Sequence, residues 1–105
     1  MTPQELLLYT EEEIAQQLAE MATRERIKQN ITQKSFAEKA GIPFATYRKF
    51  EQTGKISLQG FLKVLRHLGI LKELTAMIDR DSIEKLGADE FVKLNKIKER
   101  KRAGS

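Results

Sequence analysis

The sequence predicts an all-α fold, a bundle of five short helices followed by a basic C-terminal helix. Apolar residues recur at spacings of three and four, and no β-branched run of period two occurs. Ser, Thr, Pro or Gly stands where each bundle helix should start or stop. With 105 residues, 40% hydrophobic and 32% charged, the chain is long enough for one buried core.

Each element has its own signal. Thr10 followed by Glu13 forms a capping-box pattern, and Glu11 to Glu13 suit the positive end of a helix. Ile14, Leu18, Met21 and Ala22 continue that first helix, which should end near Asn30. A second helix is expected between Thr32, an N-cap, and Gly41, which can adopt the left-handed stop. A third should begin near Pro43, whose missing N–H costs nothing in a first turn, and close before Gly54. The fourth runs from about Ser57 to Gly69 and is expected to bury Leu58, Phe61, Leu62, Leu65 and Leu68. A fifth spans about Leu71 to Ile78. Residues 79–88 read as a polar linker, and a sixth helix from Glu90 to Arg102 is capped by Asp89. The organisation is thus an N-terminal segment (1–10), a helical domain (11–78), a linker (79–88) and a basic helix or tail (89–105).

Charge is unevenly placed. The formal net charge is +4, yet residues 1–23 hold Glu5, Glu11, Glu12, Glu13 and Glu20 without a base. Residues 24–66 carry ten bases against Glu25, Glu38 and Glu51. Residues 67–90 are acidic again, and the tail holds six bases against Glu99. Two separate basic blocks point to acidic partners at two places.

Several function classes fall away. There is no Cys, so neither a disulfide framework nor a thiolate metal site is available. The one His, His67, lies beside Leu65 and Leu68 without a second ligand at metal-binding spacing, and no Gly-rich phosphate loop occurs. Asp79 and Asp81 read as caps. No enzyme activity, metal or cofactor is expected. The longest apolar run, Leu6 to Tyr9, is far below the ~20 residues of a membrane span, so no membrane role and a cytoplasmic location are expected.

The second and third helices are joined by Gly41-Ile42-Pro43, a three-residue turn containing Gly. That is the helix-turn-helix pattern, whose second helix enters the DNA major groove. Phe36, Ala40, Ile42, Tyr47 and Phe50 fill the apolar positions that lock two helices at a steep angle. Ala37 is small at their closest approach, and Gly41 sits at the turn.

On these residues the chain resembles, over 18–78, the Cro/cI-like repressors of the XRE family. That resemblance implies a lambda-repressor-like helix-turn-helix bundle of five helices. Gln33 stands where that family opens its second helix with Gln, and Arg26 and Glu51 match its frequent interhelical pair. The string Arg48-Lys49-Phe50-Glu51-Gln52-Thr53-Gly54-Lys55-Ile56-Ser57-Leu58 is similar to HipB-type antitoxins, which repress operons encoding HipA-type serine/threonine kinase toxins. The resemblance implies autorepression of a toxin–antitoxin operon and a HipA-like kinase as partner.

With Tyr47 and Phe50 assigned inward, the third helix leaves Phe44, Ala45, Thr46, Arg48 and Lys49 as base-contacting candidates. Arg and Lys can donate to guanine O6 and N7, Thr to a base or phosphate, and the apolar pair can meet a thymine methyl. Gln33 can offer its amide and backbone N–H to a phosphate, and Lys55 can do the same from the following turn. Arg26 and Glu51 are assigned as a structural ion pair.

One module of this size reads few base pairs, so a homodimer on palindromic double-stranded DNA is expected, with half-sites about 34 Å apart. Its surface could be Leu6 to Tyr9, the fifth helix (Leu71, Leu74, Met77) or Phe91, Leu94 and Ile97. In the tail, Lys93, Lys96, Arg100, Lys101 and Arg102 could hold phosphates or a partner protein. Three readings fit these residues: a repressor that also binds a kinase, a stand-alone phage-like repressor, and a helix-turn-helix used for protein contact.

Overall fold

Side-chain caps mark where four of the helices begin. In the computed structural model, which describes residues 2–79, six helices follow one another: α1 (Pro3–Leu6), α2 (Glu11–Lys28), α3 (Gln33–Ala40), α4 (Phe44–Thr53), α5 (Leu58–Leu68) and α6 (71–79). No strand occurs among the described residues. The chain forms two units, Met1–Leu71 and Lys72–Ser105, and α2 to α5 build the bundle of the first. The linker past Asp79 and the basic helix, with Phe91, Lys93, Leu94, Lys96, Ile97, Arg100, Lys101 and Arg102, lie outside the described residues.

Thr10 caps α2 through a complete capping box. Its hydroxyl accepts the Glu13 N–H at 3.1 Å, and the Glu13 carboxylate accepts the Thr10 N–H at 3.0 Å. Together they satisfy two donors that a helix start otherwise leaves orphaned. Thr32 caps α3 through the Ser35 N–H, and Ser57 caps α5 through the Gly60 N–H. Gly41, Gly54 and Gly69 end α3, α4 and α5 in the left-handed region. Gly54 is doubly constrained, with φ at +79° and a backbone so close to α2 that a Cβ would lie 2.8 Å from the Ala15 carbonyl carbon.

The core lies where α2, α3, α4 and α5 meet. Ala19 and Ala22 of α2 and Ala37 and Ala40 of α3 are small enough to admit the large side chains of their neighbours. Phe36, Tyr47 and Phe50 fill the centre and are at most 1% exposed. Their rings form a tilted series that reaches Phe61, with centroids 4.9, 6.2 and 6.1 Å apart. Such offset contacts add about 0.5–1.5 kcal/mol per pair to the burial of apolar area.

Three details differ from the sequence expectation. The short helix α1 has no counterpart in it; Thr2 caps this turn by accepting the Glu5 N–H, and Pro3 supplies a pre-set first residue. Pro43 is the N-cap of α4, not its first turn, because its ψ of 139° is extended, and Phe44 begins the helix. On α5, Leu58 is 71% exposed and Phe61 and Leu62 are only half-buried, whereas Val64 is completely buried. At about 100° per residue, Phe61, Val64, Leu65 and Leu68 share the face turned to α2 and α3, and Leu58 and Leu62 fall on its flank.

Candidate nucleic-acid interface

The turn between α3 and α4 is built by backbone hydrogen bonds. Gly41, at φ +71°, donates its N–H to the Glu38 carbonyl, and the next residue donates the Ile42 N–H to the Ala37 carbonyl at 2.9 Å. This pattern turns the chain sharply and drops Ile42 into the core, where it is 7% exposed. Pro43 then sends α4 across α3 at the angle its buried side chains require.

Burial divides α4 into two faces. Tyr47 and Phe50 point into the bundle, while Phe44, Ala45, Thr46, Arg48 and Lys49 are all exposed, Phe44 at 42%. Helical geometry groups Ala45, Arg48, Lys49 and Gln52 on one outward stripe, with Phe44 at its start and Thr46 on its edge. Sequence reasoning missed Gln52, although its place four residues after Arg48 marks the same face. A carboxamide there can pair with the N6–N7 edge of adenine.

Lys55 is exposed in the segment after α4. Its backbone N–H donates to Thr53 Oγ1 at 3.1 Å, and that hydroxyl donates to the Lys49 carbonyl at 2.7 Å, which ties the segment to the end of α4. The salt bridges among the described residues are Arg26–Glu51 and Lys28–Glu25. Arg48, Lys49 and Lys55 therefore keep their charges unpaired by any described carboxylate.

Gln33 opens α3 and is half-buried. Its amide is already engaged, since Nε2 donates to Glu51 Oε1 at 2.8 Å. Glu51 is the centre of a larger cluster. Arg26 donates Nε to Oε2 at 2.7 Å and Nη2 to Oε1 at 3.1 Å, and the Tyr47 hydroxyl donates to Oε2. Arg26 also donates Nη1 to the Ile31 carbonyl at 2.6 Å. Burial by itself would raise the Glu51 pKa, but hydrogen bonds from Arg26, Tyr47 and Gln33 more than offset it and hold the carboxyl below its usual range. Burial, and then the bond to Glu51, push the Tyr47 hydroxyl well above an ordinary phenol. The Arg26–Glu51 hydrogen bonds raise the guanidinium, so the pair is charged at every physiological pH. Tyr47 and Gln33 are not readable in the sequence as members of this cluster, because the three helices contributing to it are brought together only by folding.

The arrangement is a tight turn followed by a helix whose outward face is cationic and exposed, with Lys55 exposed just beyond its end.

Residues 23–72 match the helix-turn-helix family. The matched segment runs from the second half of α2 into α6 and contains the whole α3–turn–α4 unit. No curated protein and no solved structure matches the chain. No helix among the described residues is long and apolar enough to cross a membrane. Among the same residues, no three His, Asp or Glu side chains stand together as metal ligands.

Proposed function

We propose that this helix-turn-helix protein is a sequence-specific transcriptional repressor that places α4 in the major groove. The observation that carries this reading is the division of α4: its inward side chains are sealed in the core while Arg48 and Lys49 stand exposed on the opposite face. Arg48, Lys49 and Thr46 act on base edges, and Phe44 and Ala45 on thymine methyls. Gln33 and Lys55 hold phosphates on either side. The backbone N–H groups of Gln33 and Lys34 lie at the start of α3, where no intrahelical acceptor reaches them.

The protein acts as a homodimer on a palindrome, because one module of this size secures too little area for useful affinity. Leu7 and Leu8, 80% and 86% exposed, are available for that contact. A finer reading makes the protein the HipB-like antitoxin of a toxin–antitoxin operon, binding a HipA-type kinase and repressing its own promoter. Its support is the string from Arg48 to Leu58 quoted above.

Fluorescence anisotropy against a duplex selected from a random pool, and against a scrambled duplex, tests the central reading at two salt concentrations. A selected duplex bound at least about 10³-fold tighter than the scramble is expected; equal affinities would remove the repressor role. Light scattering at micromolar concentration should give twice the 12.1 kDa chain mass. Co-expression with a HipA-type kinase from the same operon should yield a complex, and its absence would leave the stand-alone repressor.

A further inference from the structure

Glu51 does more than pair with Arg26. We propose that Glu51 is a positioning residue for DNA binding, orienting the Gln33 amide so that one N–H is held inward and the other is presented to a DNA phosphate at the start of α3. The inference rests on the DNA-binding reading above and assigns the residue that prepares one of its contacts.

The hydrogen-bond count carries it. Oε2 of Glu51 accepts from Arg26 Nε and the Tyr47 hydroxyl; Oε1 accepts from Arg26 Nη2 and Gln33 Nε2. An ionised carboxylate accepts about four hydrogen bonds and donates none, so this one is saturated and demands a donor from Gln33. That requirement turns the Gln33 nitrogen, not its oxygen, toward the bundle. A phosphate is also an acceptor only. The carboxamide nitrogen carries two hydrogens, so Gln33 can bridge the two anions, with Glu51 inside and the phosphate outside.

Arg26 makes this arrangement tolerable beside DNA. Its guanidinium lies 2.7 Å from the carboxylate and cancels its charge, so the clamp adds no net negative charge near the phosphates. The clamp is also stiff. Arg26 belongs to α2, Gln33 to α3, and Tyr47 and Glu51 to α4, and the Glu51 side chain is 5% exposed. An amide held this way has already given up the rotamer freedom that binding would otherwise remove.

The test uses the full chain and a duplex of about 30 base pairs selected by the wild type, with Glu51→Gln, Gln33→Met and the double variant compared by anisotropy. Glu51→Gln adds one unit of positive charge, so electrostatics without positioning predicts tighter binding. Positioning predicts binding about tenfold weaker, a similar loss for Gln33→Met, and no additional loss in the double variant. Unchanged or tighter binding by Glu51→Gln would overturn the proposal, as would an equal Glu51→Gln effect in the Gln33→Met background. Circular dichroism reports whether Glu51→Gln folds. Where it does not, Glu51→Asp, which keeps the charge but shortens the reach toward Gln33, is expected to show the same loss, and full affinity overturns the proposal. Failure of the wild type to bind any duplex overturns the DNA reading itself, and this inference with it.

Discussion

Arg26 and Glu51, 25 positions apart, meet through two hydrogen bonds of 2.7 and 3.1 Å and clamp α2 to α4. Their side chains are 11% and 5% exposed, so solvent cannot take over for a missing partner. Removing one member leaves a buried charge facing its former site. Arg26→Ala is expected to cost about 3–5 kcal/mol in urea denaturation, in line with broken buried pairs. A loss below about 1 kcal/mol would mark the pair as an ordinary surface contact.

Acid should weaken the same clamp. The Glu51 carboxyl titrates lower in the folded chain than in the unfolded one. Its contribution is therefore complete above the ordinary carboxylate range and disappears as pH falls through the lowered folded value. Melting temperatures measured from pH 7 to pH 3 should fall more steeply for the wild type than for Glu51→Gln. Parallel curves would show that other carboxylates control acid unfolding.

Two glycines with similar φ should respond differently to a methyl group. At Gly41, with φ at +71°, a Cβ would have nothing within 4 Å, so Gly41→Ala meets only the left-handed backbone cost of about 1–2 kcal/mol. At Gly54, with φ at +79°, the same methyl would also strike the Ala15 carbonyl carbon and the Gln16 nitrogen at 2.8 and 2.9 Å. Gly54→Ala should cost clearly more, because α2 and the end of α4 must separate. Equal losses in denaturant would contradict this close approach.

On α5, burial and hydrophobicity diverge. Leu58→Ser, at a side chain 71% exposed, should change stability by no more than about 0.5 kcal/mol. Val64→Ala, at a completely buried position, removes two methyl groups from the core and should cost about 1–3 kcal/mol. The reverse order in a urea titration would place the core on the other flank of α5.

DNA contacts are separable by how their loss depends on sequence and salt. Arg48→Ala is expected to lose about 1–3 kcal/mol on the selected duplex and little on a scrambled one. Lys55→Ala should weaken both equally and make the logarithmic salt slope shallower by about 0.9. An equal loss on both duplexes for Arg48→Ala would move that residue to the phosphate backbone.

Sequence and structure contribute different things here. Thr10 with Glu13, Thr32 and Ser57 announce helix starts because a cap needs only neighbours within one turn. Gly41, Gly54 and Gly69 announce the stops for the same local reason. The α3–turn–α4 unit is legible because its core residues, Phe36, Ala37, Ala40, Ile42, Tyr47 and Phe50, lie within 15 positions of one another. The charged outward residues of α4 follow once the inward ones are assigned.

Tertiary structure decided what distant segments do to one another. Leu58 has the hydrophobicity of a core residue, but its place on the flank of α5 leaves it outside, and Val64 takes the buried position. Gln33 reads as a free phosphate donor in the sequence, yet folding brings Glu51 of α4 to 2.8 Å from its amide. Tyr47 reads as a core aromatic, and folding gives its hydroxyl the same carboxylate. By itself the sequence determined the helices from α2 onward, the side-chain caps of α2, α3 and α5 and the helix-turn-helix unit, since these depend on backbone bonds and side-chain periodicity over a few residues. Which side chains share a buried charge was decided by the packing of α2, α3 and α4, because a carboxylate taken from water accepts whatever donors the fold brings within reach.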